Sequence, residues 1–129
     1  MATYVDSSAI VKLAVREPES AALHRYLRRR RPLVSSALAR AEVLRALLPA
    51  GEEAVARGRS VLRRLDLVRL NNRVLDAAGL LLPAGLRTLD AVHLATARLL
   101  GDEVRSLVTY DGRMAEAARQ LDYRVVSPD

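Results

Sequence analysis

The sequence contains no cysteine, phenylalanine or tryptophan, and aromatic residues make up only 3% of it. Without thiols there are no disulfides, no zinc–thiolate centres and no cysteine nucleophile. Any metal ion must then be held by oxygen or imidazole. The scarcity of rings argues against a platform on which single-stranded bases stack. Lysine is almost absent as well: Lys12 is the only one, and every other cation is arginine. No apolar run approaches the roughly 20 residues a membrane helix requires, and no signal-peptide pattern opens the chain, so it reads as a cytoplasmic protein with no membrane partner.

A length of 129 residues fits one domain, expected to span 1–129. Half of the residues are hydrophobic, so the core must be built from Leu, Val and Ala. The net charge is +6 and the pI is near 10.7, values that favour association with polyanions. Arginine forms bidentate contacts with phosphate, although GC-rich codon usage produces the same bias.

Short β-rich runs alternate with longer helical patterns. Thr3–Val5, Pro32–Ser35, Leu67–Leu70, Ser106–Thr109 and Arg124–Val126 read as strands, brief and apolar as in a parallel sheet covered on both faces. Helices are predicted over Ser7–Arg16, Pro18–Arg30, Ser36–Leu48, Glu52–Leu65, Asn72–Leu82, Thr88–Leu100 and Gly112–Leu121. Pro18 suits a first helical turn, and Ser36 and Asp111 are candidate caps. Pro49-Ala50-Gly51 and Pro83-Ala84-Gly85 break the helical pattern. The alternation implies right-handed crossovers and an α/β fold, a parallel sheet between two helical layers. Chemistry is then sought outside the carboxyl ends of the strands.

Acids are found at those ends. Asp6 closes the first strand and Asp111 follows the fourth, while Asp90 and Glu42 interrupt otherwise apolar helices. Buried carboxylates are normally paired, protonated or bound to a metal, and four converging on one crevice would repel one another. Oxygen ligands without thiolates point to Mg²⁺ or Mn²⁺. Each acid also has a plainer role. Asp6 and Asp111 suit helix caps, Asp90 complements a helix dipole, and Glu42 is placed to pair with Arg40 or Arg45.

The ordered set Tyr4-Val5-Asp6-Ser7-Ser8-Ala9, Ser36 to Val43 around Glu42, Leu86 to Ala95 around Asp90, and Val108-Thr109-Tyr110-Asp111 resembles the PIN domain. Within that family it is most similar to VapC-type toxins of bacterial toxin–antitoxin pairs, from Thr3 to Pro128. The resemblance implies a three-layer α/β/α fold and an endoribonuclease dependent on Mg²⁺, with Mn²⁺ as a substitute. It places Asp6, Glu42, Asp90 and Asp111 on the catalytic acids that form the metal site, and Thr109 on a hydroxyl that hydrogen-bonds within it; Asp6, Asp90 and Asp111 are the candidate metal ligands, direct or through water, and Glu42 either ligates or orients the water as a base. It further implies a homodimer, an RNA substrate, and a cognate VapB-like antitoxin through which operator DNA is bound indirectly. One departure is the turn Leu121-Asp122-Tyr123, where the family usually has Gly; Asp tolerates a left-handed backbone better than most residues.

Metal-assisted attack by water predicts products with a 5′-phosphate and a 3′-hydroxyl. One ion or two both remain open. Arg87, beside Asp90, is a candidate to meet substrate or antitoxin, and Ser7 and Ser8 offer hydroxyls to a phosphate or cap the first helix. His93, one turn after Asp90, reads as a packing or hydrogen-bonding residue more readily than as a ligand. Glu116 and Asp129 are further acids that could reach the crevice, His24 reads as surface, and Arg28–Arg31 is either an RNA contact or a solvated helix end. Ala9, Ile10, Leu13 and Ala14 with Leu23, Tyr26 and Leu27 form core or an antitoxin groove. A noncatalytic PIN-like RNA-binding domain and an RNA-processing PIN ribonuclease are the alternatives. A phosphoacceptor receiver domain would need a late-strand lysine that this chain lacks.

Overall fold

The computed structural model describes residues 1–129. Five strands, β1 (Ala2–Val5), β2 (Leu33–Ser36), β3 (Asp66–Val68), β4 (Val104–Val108) and β5 (Val125–Val126), form one sheet in the order β3-β2-β1-β4-β5. Every adjacent pair is parallel. The helices are α1 (Ser7–Ala14), α2 (Ser20–Arg28), α3 (Ala39–Leu47), α4 (Glu52–Arg63), α5 (Asn72–Gly79), α6 (Thr88–Leu100) and α7 (Gly112–Gln120).

Strand alternation distributes the core between two layers. Val5, Leu33 and Val108 pack against α1 to α4, whereas Tyr4, Val34 and Leu107 pack against α6 and α7. The architecture is therefore three-layer α/β/α. All residues from Asp90 to Ala97 are buried, so α6 has no solvent face over that stretch and is pressed between β2 and α5. Helix α4 approaches α3 closely at Gly58, where a Cβ would lie 2.5 Å from Leu47 Cδ1.

The chain steps from β1 outward through β2 to β3, then crosses back to β4 and on to β5. The direction of winding reverses between β1 and β4, the topological switch point at which open α/β sheets bind ligands. Val5 pairs with Val108, so Asp6 and Thr109 leave the sheet side by side.

Several boundaries differ from those predicted. β2 runs to Ser36, which ends the strand instead of capping a helix; its Oγ accepts from the Leu38 amide at 3.1 Å and α3 starts at Ala39. α5 stops at Gly79, short of Leu82, because glycine is a weak helix former and the residue before Pro83 disfavours the helical region. Glu17-Pro18 belongs to the connection between α1 and α2, and α2 begins at Ser20. Asp122 adopts φ 67°, the left-handed turn expected before the last strand.

Candidate active site

Asp6 and Asp111 do cap helices. Asp6 Oδ1 accepts from the Ala9 amide at 3.1 Å at the start of α1, and Asp111 Oδ1 accepts from the Arg113 amide at 2.9 Å at the start of α7. Capping leaves capacity on both carboxylates. Asp6 is 4% exposed and accepts further bonds from the Ser8 hydroxyl at 2.6 Å and, through Oδ2, from the Thr109 hydroxyl. Thr109 Oγ1 in turn accepts from the Asp111 amide at 3.0 Å. One hydroxyl thus couples the acid after β1 to the loop after β4. Ser8 fastens the same junction, accepting from the Tyr110 amide at 2.9 Å.

Asp90 lies in the first turn of α6 and is 9% exposed. Arg87 Nε donates to Asp90 Oδ2 at 2.9 Å, and Arg87 Nη2 donates to Asp111 Oδ2 at 2.7 Å. Glu42, from α3, is half-buried; its Oε1 accepts from Ser7 Oγ at 2.6 Å and from His93 Nε2 at 2.6 Å. Two hydrogen-bonded sets result: Asp6, Ser8, Thr109, Asp111, Arg87 and Asp90 form one, and Glu42, Ser7 and His93 form the other.

Electrostatics separate these acids. Burial pushes the Asp6 carboxyl above its ordinary value despite the bonds from Ser8 and Thr109. Burial also raises Glu42, but hydrogen bonds from His93 and Ser7 outweigh it and hold the group below its ordinary value. At Asp111 burial is outweighed by the Met114 and Arg113 amides and by Arg87, and the net shift is downward.

A family model described as PIN domain matches residues 3–120. The chain belongs to the PIN-domain family. This PIN domain is 65% identical over 127 residues to Ribonuclease VapC46 of Mycobacterium tuberculosis, covering 98% of each chain. It is 40% identical over 129 residues to Ribonuclease VapC35 of the same organism, covering 97% of this chain and 96% of the relative. Two solved structures share the fold. VapC20 of Mycobacterium tuberculosis, described as a sarcin-ricin loop cleaving toxin, matches with a TM-score of 0.80 at 16% identity over 98% of this chain and 100% of that one. A toxin–antitoxin complex from Klebsiella pneumoniae matches with a TM-score of 0.75 at 19% identity, covering 99% and 98%.

The donors of this PIN domain suit a hard divalent cation, being oxygen only, and a cation already bridges two of them in the form of the Arg87 guanidinium. No three acidic or histidine side chains stand close enough together to hold one ion as they are. A cleft of about 410 Å³ opens beside Asp90 and Arg87 and is lined also by Arg113, Glu116 and Gln120. Glu116 thus faces the neighbourhood of the acids, and Asp129 is exposed at the chain end. Arg28 ends α2 and Arg29–Arg31 lead towards β2, at the amino-terminal edge of the sheet and away from the acids; Arg30 stacks on Tyr26 at 3.8 Å. Lys12 pairs with Glu19 at 3.0 Å.

Sequence reasoning missed Tyr4, whose hydroxyl lies 2.8 Å from His93 Nδ1. A signal was present. Tyr4 is two residues before Asp6, and His93 is one helical turn after Asp90, so each is spaced to share a side with an acid.

Proposed function

We propose that residues 1–129 act as one PIN domain with endoribonuclease activity dependent on Mg²⁺ or Mn²⁺, serving as the toxin of a toxin–antitoxin pair. What supports this reading is a chain 65% identical to a named ribonuclease in which Asp6 follows β1 at the β1/β4 switch point and Arg87 joins Asp90 to Asp111.

Asp6, Asp90 and Asp111 are the metal-holding acids. A divalent cation bound by them supplies acidification of a water molecule and neutralisation of charge on the attacked phosphodiester. Thr109 keeps the Asp6 carboxylate fixed in rotation, and Ser8 does so from the other oxygen. Arg87, paired with Asp90 and Asp111, would share these acids with a bound cation and offers its guanidinium to phosphate. Glu42 has both of its donors on Oε1, which leaves Oε2 free to accept a proton from the attacking water. Ser7 holds that orientation.

Partner surfaces are also available. Leu75, Leu80 and Leu82, each at least 48% exposed, form an apolar face on α5 and the connection to α6 that suits a homodimer contact. Ala9, Ile10, Ala14, Leu23 and Leu27 are core. Leu13 remains at the surface, in a pocket of about 440 Å³ with Arg25, Arg28, Arg31 and Arg64, suited to an antitoxin segment bearing apolar and acidic side chains. That antitoxin would carry the contact to operator DNA.

The test is expression in a bacterial host. The wild-type chain should arrest growth, the neighbouring antitoxin should relieve the arrest, and Glu42→Gln should abolish it. Arrest that persists in Glu42→Gln would contradict the reading, and RNA cleavage without arrest would favour a processing ribonuclease.

A further inference from the structure

His93 is 2% exposed in the middle of α6 and enters the steps above only as a donor to Glu42. It stands between Tyr4 and Glu42. The Tyr4 hydroxyl lies 2.8 Å from Nδ1, and Glu42 Oε1 lies 2.6 Å from Nε2. Tyr4 itself is fully buried on β1 and meets the imidazole edge-on, with ring centroids 5.9 Å apart and an interplanar angle of 83°.

One arrangement of the protons gives Glu42 a donor from the imidazole and Nδ1 a donor from the phenol. In that arrangement the Tyr4 hydroxyl, 2.8 Å from Nδ1, is the donor to it. A neutral imidazole that accepts at Nδ1 carries its one N–H at Nε2. That N–H points at Glu42 Oε1, where the Ser7 hydroxyl also donates. Two donors converge on one carboxylate oxygen and none on the other, which fixes the rotation of the Glu42 carboxylate about its terminal torsion. An unanchored terminal carboxylate torsion is broad.

We propose that Tyr4 and His93 form a buried relay that positions Glu42: Tyr4 selects the Nε2–H tautomer of His93, and His93 then locks Glu42 Oε1 and presents Oε2 to the reaction. The inference rests on the role given to Glu42 above. Neither residue touches substrate; both are positioning residues. The relay connects β1, α3 and α6, so the acid on α3 is registered against the strand that carries Asp6. A residue 89 positions from Tyr4 in sequence thereby sets the geometry of a group 51 positions from itself.

The chain has only two histidines, His24 and His93, so a long-range ¹H–¹⁵N spectrum of the folded protein reads the tautomer directly. His93 should show Nε2–H, and Tyr4→Phe should shift population towards Nδ1–H. An Nδ1–H tautomer in the wild type would overturn the relay whatever the activity. Kinetics then test positioning with two amide replacements. His93→Gln places an amide N–H where Nε2 was, and His93→Asn offers an acceptor where Nδ1 was but no donor to Glu42. His93→Gln should keep kcat within about threefold and His93→Asn should lose about tenfold in kcat at unchanged KM, the fold-change of one hydrogen bond to a charged group. Equal kcat in the two folded variants, or a loss confined to KM, would overturn the proposal. If the wild-type chain cleaves no RNA, the proposed activity fails, and the tautomer measurement alone decides the relay.

Discussion

Arg87 and Asp111, 24 residues apart in sequence, meet at 2.7 Å at the mouth of the acidic neighbourhood, and the same Nη2 is 2.8 Å from Asp90 Oδ2. One guanidinium neutralises two carboxylates that lie on different elements. Its side chain is half exposed, so the pairing is reversible and adds little to stability.

Arg87 therefore competes with any cation that draws on Asp90 and Asp111. Arg87→Met keeps an unbranched stem without the charge. Titration calorimetry with Mg²⁺ should show about fivefold tighter binding in the variant, as expected for removal of one nearby charge in a solvated site. Unchanged or weaker binding would mean that the ion does not use these two acids.

Asp6 and its neighbours make opposite contributions to stability as pH changes. The folded chain holds the Asp6 proton more tightly than the unfolded chain does, so its contribution is full below the ordinary Asp value of about 3.9 and is lost as pH rises through the raised folded value. Asp111 and Glu42, held low, contribute above their ordinary values and lose that contribution as pH falls through the lowered ones. Asp6→Asn removes the ionisation and keeps the shape. Denaturant midpoints should place the variant above the wild type at pH 7, with the gap closing towards pH 4. A wild type more stable than the variant at pH 7 would contradict a carboxylate kept at a stability cost.

Asp122 holds a left-handed turn at φ 67° that glycine adopts without a Cβ penalty. Asp122→Gly should stabilise the chain by about 0.5–1 kcal/mol, less than the whole relief of strain because glycine also frees the unfolded chain. Thermal unfolding checks the sign. The position was flagged by the resemblance to the PIN family, which usually carries glycine in that turn.

The close approach at Gly58 had no comparable signal. Gly58→Val would drive a branched side chain towards Leu47, which is 2% exposed, and should cost about 1–3 kcal/mol. A variant as stable as the wild type would show that Leu47 repacks freely.

What could be read in advance follows the range of the forces involved. α6 was legible at both ends because its apolar pattern is continuous from Thr88 to the break at Gly101. The parallel sheet was legible because apolar strands alternate with helices, and strand-end acids follow from that topology. Ser36 was misread because a serine after a strand looks the same as a serine before a helix; only pairing with Val68 extends β2 through it. Arg87 bridging to Asp111 joins residues 24 positions apart that no local pattern pairs, and for His93 and Tyr4, 89 positions apart, the only signal was the spacing of each from its nearest acid.

The most direct measurement is cleavage of total RNA by the purified chain in Mg²⁺, in Mn²⁺ and in EDTA, with Asp90→Asn as the comparison. Asp90 caps no helix and accepts only from Arg87, so its loss leaves the fold in place. The expected result is discrete fragments bearing 5′-phosphates that appear with either metal, vanish in EDTA and fall at least a hundredfold in the variant. Equal cleavage by wild type and Asp90→Asn, or none by folded wild type with either metal, would contradict a metal-dependent ribonuclease built on these acids.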